Sequence, residues 1–90
     1  MASYLISYDL RSPGQDYVGL IQAIKDVAEA WSHRLESTWI IKHAGPASAI
    51  RDALSPHLDA NDKLLVVKLS GEGAWTGIPA DGTRWLKDNL

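Results

Sequence analysis

The residues best placed to do chemistry lie in one short stretch, "SYLISYDLRSPGQDY" (residues 3–17), where an apolar run ends in a carboxylate and a loop composition follows. Ser7, Asp9 and Arg11 offer a hydroxyl, a carboxylate and a guanidinium at alternate positions. On an open surface, Asp9 can hold a hard cation or accept a proton. It can equally accept hydrogen bonds from the loop behind it, at residues 11–15, a routine use of Asp. A single carboxylate seldom builds a metal site. Two copies of the chain facing each other would supply two, enough for one Mg²⁺ with waters and a phosphate.

A second group sits in "HRLESTWIIKH" (residues 33–43), where His33, Arg34, Lys42 and His43 surround Ser37 and Thr38. It reads either as a solvated strand face with cross-strand pairs or as a short basic strip for a phosphate backbone. The three histidines (33, 43 and 57) lack metal-ligand spacing. Gly71 and Gly73 in "SGEGAW" read as a turn rather than a phosphate cradle. The four tryptophans (31, 39, 75 and 85) read as core and interface residues rather than base-stacking platforms. Trp75 stands out, being in a loop segment without periodic partners.

The elements that position these groups follow from periodicity. Tyr4, Ile6, Tyr8 and Leu10 share one face of a strand, and Leu5, Ser7 and Asp9 the other. From Tyr17 the step changes to three and four, predicting an amphipathic helix through Leu20, Ile21, Ile24, Val27, Ala28 and Trp31. Asp16 near its start is favoured by capping and by the helix dipole. "SHRLESTWIIKH" is β in character, with Leu35, Trp39 and Ile41 on one face. It is one long strand bent near Glu36-Ser37, or two short ones meeting there. "AGPASAIRDALSPHLD" predicts a second helix, with Pro46 in its first turn and Pro56 ending or kinking it. "DKLLVVKLS" predicts a further strand, "GEGAWTGIPADG" a turn-rich segment, and "TRWLKDNL" a terminal helix that must dock to be stable.

Ninety residues, 46% hydrophobic and 22% charged, suit one globular domain over 1–90. Residues 1–70 form its core and 71–90 a C-terminal extension. The order β-α-β-β-α-β predicts an α+β, ferredoxin-like sandwich. The helices would cover the fully apolar face of the first strand, leaving Ser7 and Asp9 on the open side. Without cysteines, disulfides and thiolate zinc sites are excluded. No apolar run approaches the ~20 residues that span a bilayer. The start, "MASYLISYDL", lacks the basic region and long apolar centre of a signal peptide, so a cytoplasmic location is expected. A net charge of −2 argues against a surface that grips nucleic acid all over, though not against a local strip.

At "YLISYDL", a following helix and then "HRLESTWIIKH", the chain resembles the small CRISPR-associated "Cas two" proteins. It is more similar to their SinR-like relatives, and more distantly to the VapD ribonucleases. The likeness covers residues 3–70 and rests on Tyr8-Asp9 ending the first strand, then Arg34, Ser37 and the aromatic Trp39 in the middle. It implies a homodimer with two Asp9 side chains facing across a cleft, acting as metal ligand and catalytic residue for a magnesium-dependent nuclease on RNA or DNA. There the cation would activate a water and stabilise charge on the phosphate in an in-line displacement. Ser7, Arg11, Arg34 and Ser37 would contact phosphate or support the site. In the CRISPR-associated family the dimer also serves as a scaffold holding duplex DNA for the integrase. The departures are Trp39 for the usual Phe, an acidic pI near 5.8, and a tail unlike the final strand those proteins lend their partner. The SinR-like label suggests transcriptional control, yet the sequence carries no helix-turn-helix. The alternative is a catalytically silent dimeric interaction or regulatory module, with Asp9 as a turn cap or a satisfied interface polar group and the Trp75/Trp85 tail as the surface for a protein partner.

Overall fold

The computed structural model of the protein describes residues 1–11 and 17–90. It has an α+β fold with strands β1 (Ala2–Asp9), β2 (Ala30–Leu35), β3 (Thr38–His43) and β4 (Lys63–Lys68). The α-helices are α1 (Val18–Val27), α2 (Ala47–Leu54) and α3 (Ala80–Asn89). The strands form one antiparallel sheet in the order β2-β3-β1-β4. The expected capping by Asp16 lies outside the described residues. No described helix is long and apolar enough to cross a membrane.

The alternation in β1 produces the expected separation. Tyr4 and Ile6 are buried with Trp39 and Ile41 of β3, against Leu20 and Ile24 of α1 and Ile50 and Leu54 of α2. Burying side chains of this size stabilises by about 1.5–3 kcal/mol each, the main term holding the helices on the sheet. Polar atoms along this layer are matched: Trp39 Nε1 donates to the Tyr8 hydroxyl at 3.0 Å, and the Tyr4 hydroxyl donates to the Gly45 carbonyl at 2.8 Å.

Three local expectations change. The first helix stops at Val27, with Ala28 already extended, so Trp31 belongs to β2 and pairs with Ile41. Its helical spacing marked the right side of the sheet but the wrong element. Trp31 still meets α1 through Lys25, whose Nζ lies 5.0 Å from the ring centroid. Residues 32–43 are two strands turning at Glu36-Ser37, and the β2–β3 register shifts between Ser32 and Leu35. A shift of one residue moves a side chain to the other face. Leu35 therefore pairs with Thr38 and lines a hollow with Ile40 and Leu86, away from Trp39 and Ile41. The second helix gives way to a 3-10 turn over Ser55–His57 that contains Pro56, whose missing N–H cannot extend the α-helix.

The terminal helix begins at Ala80, earlier than the sequence suggests, and docks on the sheet face opposite α1 and α2. Leu86 is buried there, and Trp75, Ile78 and Leu90 close over Leu5, Ile40 and Leu69. The Ser3 hydroxyl and Lys42 Nζ both donate to the Asn89 carbonyl. Gly82 makes the close approach possible: a Cβ at that position would lie 2.7 Å from Ile78 Cγ2 and 2.8 Å from Arg34 Nε.

Candidate functional site

The C-terminal end of β1 gathers most of the residues singled out from the sequence. Pairing sets Ser7 between Thr38 and Leu65, and Asp9 opposite Lys63 at the start of β4. In an antiparallel sheet, directly opposed residues share a face. Ser7, Asp9, Lys63 and Leu65 thus stand on the same side as α3, at the end the tail does not reach. They line an open depression of about 210 Å³. The Ser7 and Thr38 hydroxyls are hydrogen-bonded at 3.2 Å.

Asp9 carries its own counter-ion. Arg11 Nε and Nη2 both donate to Asp9 Oδ2, at 2.9 and 2.7 Å. This hydrogen bonding holds the Asp9 carboxyl below its usual range, and the charges of Arg11 and Lys63 act in the same direction. Asp9 raises the Arg11 pKa in return. The side chains are 59% and 52% exposed, for Arg11 and Asp9, so water screens the pair and it is easily opened.

Beneath this pair lies a residue that sequence reasoning missed. Asp62 Oδ1 accepts the Arg11 N–H at 2.7 Å, Oδ2 accepts the Asp59 N–H at 2.8 Å, and the Tyr17 hydroxyl donates to the same carboxylate at 2.9 Å. Burial pushes the Asp62 pKa up, but these donors outweigh it and the carboxyl ends below its ordinary value. Asp62 thereby ties the residues after β1 to the turn before β4 and sets where Arg11 starts. Its only sequence signal was the Asp59–Asp62 spacing of a turn. Lys63 was likewise invisible until the β1–β4 register set it opposite Asp9.

The remaining candidates separate. The Ser37 carbonyl accepts the Tyr8 N–H at 3.1 Å, so Ser37 lies beside the Asp9 end through its backbone. Arg34 is on edge strand β2, with β3 between it and β1, and its Nη2 donates to Asp81 of α3 at 2.9 Å. That hydrogen bond, followed by one from the Gly82 N–H, lowers the Asp81 pKa. Trp75 is turned into the tail, with Nε1 donating to Thr83 Oγ1 at 3.0 Å. Trp85 is half-buried beside β2.

Among the described residues, the Asp9 carboxylate of one chain is engaged by Arg11 and is not open to a Mg²⁺ ion. No three His, Cys, Asp or Glu side chains cluster among the described residues. Asp9 also faces Lys63, and the neighbouring Asp62 is taken up by the N–H groups of Arg11 and Asp59 and by the Tyr17 hydroxyl. Comparison of the chain with protein-family models, with curated proteins and with solved structures finds no match in any of the three.

Proposed function

We propose that the chain is a ferredoxin-like, Cas-two-like protein that works as a homodimeric interaction module through the part of its sheet the tail leaves uncovered. The element order and the antiparallel sheet are compatible with that fold. The observation that carries the reading is the exposure of Leu65 (56%) and Val67 (37%) on the face that Ser7 and Asp9 share. Large apolar side chains grouped beside polar ones on an otherwise finished domain mark a contact surface. A twofold contact there buries both side chains, with Asp9, Arg11 and Lys63 at its rim. In this reading the Asp9–Arg11 pair is a satisfied polar group at the interface, and no chemical step is asked of it.

Sedimentation equilibrium tests the dimer. The expected result is a dimer for the wild type and a folded monomer for Leu65→Lys combined with Val67→Glu. A wild type that stays monomeric at high concentration overturns it.

A second reading is the metal-dependent nuclease, favoured by the exposed position of Asp9 on this same open region. Two copies would bring two Asp9 carboxylates to one cation once Arg11 moves aside. Cleavage of short RNA and DNA with added magnesium separates the readings. Cleavage by the wild type that is lost in Asp9→Ala assigns the nuclease, and absence of cleavage by a verified dimer assigns the silent module.

A further inference from the structure

Strand β4 ends the sheet, and its outer edge is regular. Its register with β1 runs unbroken from Tyr4–Lys68 to Asp9–Lys63. The Leu69 N–H donates to the Ser3 carbonyl at 2.9 Å, and in an antiparallel pair successive residues turn their backbone groups alternately toward and away from the neighbour. Lys63, Leu65 and Val67 therefore direct their N–H and C=O groups at β1. Those of Leu64, Val66 and Lys68 point out of the sheet, and no described strand pairs with them. The opposite edge, on β2, is interrupted between Ser32 and Leu35.

Hollows flank the β4 edge on both faces of the sheet. On the helix side, Ala47, Ser48 and Arg51 of α2 stand beside Leu64 and Val66 around a space of about 260 Å³. On the other side is the depression of about 210 Å³ at Lys63 and Leu65, with exposed Val67 further along the strand. The two ends of the edge carry exposed lysines, Lys63 and Lys68. Arg51 is engaged by Asp52, whereas neither lysine holds an ion pair among the described residues. Lysines on an edge strand discourage pairing with a second copy, which brings the same cations, and favour a strand that carries acids.

We infer that the β4 edge binds an extended acidic segment of another protein, added antiparallel as a further strand of the sheet. Main-chain hydrogen bonds from Leu64, Val66 and Lys68 supply affinity, and side chains falling alternately on the two faces supply specificity. Directly opposed residues share a face, so the register dictates the sequence recognised. The residues opposite Lys68 and Lys63 are acids, and those opposite Val67 and Leu65 are apolar. Read from its N-terminus, the segment is therefore acid-apolar-any-apolar-any-acid. This site uses the edge of β4 rather than the sheet face of the proposed dimer, and does not rest on that reading.

The test is calorimetric titration of the full chain with the end-blocked peptide Glu-Val-Thr-Leu-Thr-Glu and with a control in which both Glu are Lys. The acidic peptide should bind about tenfold or more tightly than the control. Lys63→Glu combined with Lys68→Glu changes only exposed side chains and should reverse that preference. N-methylation of the peptide residue opposite Val66, whose N–H points at β4, should abolish binding, while methylation opposite Leu65 should leave it intact. In the unaltered chain, the Leu64, Val66 and Lys68 amides should exchange rapidly alone and slowly with the acidic peptide bound. Absence of acidic-peptide binding, equal affinity for both peptides, or equal harm from the two methylations overturns the inference. So does slow exchange of those three amides in the chain alone at high concentration, which would assign the edge to a second copy.

Discussion

The two faces of the sheet are closed by different physics. Toward α1 and α2, eight side chains from four elements are buried together, with Ile6, Ile24, Ile41, Ile50 and Leu54 fully out of water. Toward α3, the closure is a thin apolar wedge around Leu86, hydrogen bonds to the Asn89 carbonyl, and an exposed Arg34–Asp81 pair. The first face is a core that holds the domain together. The second is a cover, and it stops short of Ser7, Asp9 and Leu65. That incompleteness leaves Leu65 and Val67 exposed on this face.

The largest effect is expected from breaking the first face. Ile50→Ala should lower the unfolding free energy by about 2–5 kcal/mol, seen as a fall in the urea midpoint, because the surrounding helices and strands cannot collapse into the space. A smaller effect should follow from lifting the cover. Gly82→Val forces a side chain into Ile78 and Arg34 and should cost about 1–3 kcal/mol. Hydrogen exchange should then speed up across α3 while α1 and α2 stay protected. Equal loss of protection on both faces would dissolve the distinction between core and cover.

Acid should loosen the cover next. The Asp81 carboxyl is lowered by Arg34, so its contribution is present above the unfolded value of about 4 and is lost as pH falls through the lower folded value. Exchange in α3 should therefore rise on acidification in the wild type, and Arg34→Gln should weaken that dependence, leaving the part due to the Gly82 N–H. The smallest change is expected for Asp9→Asn. Its pair with Arg11 is at the surface, and the urea midpoint should stay within error. A large shift there would mean that Asp9 organises the end of β1 rather than decorating it.

Much of the first face was legible in the sequence. Alternation in residues 3–10 assigned Tyr4 and Ile6 to the core and Asp9 to the opposite side, and the step of three and four chose Leu20 and Ile24. The candidate site was legible only in its first half. Ser7, Asp9 and Arg11 are close in the chain, but Arg34 answers to Asp81, forty-seven positions away, and Asp9 faces Lys63 through a strand register. Of the tryptophans read as core and interface, Trp39 is buried in the core, whereas Trp31 stands partly exposed at a sheet edge.

The sequence by itself determined the elements whose burial is periodic, because a strand or helix repeats its exposure locally whatever it packs against. It also determined that a carboxylate ends the first strand on the side away from α1 and α2. Only the tertiary structure decided that Trp31 enters β2, that Leu35 changes face, and that the tail covers part of the sheet. Those outcomes depend on which strands pair, where the register shifts, and how closely Gly82 lets α3 approach. Each is a contact between distant positions, and no local pattern carries it.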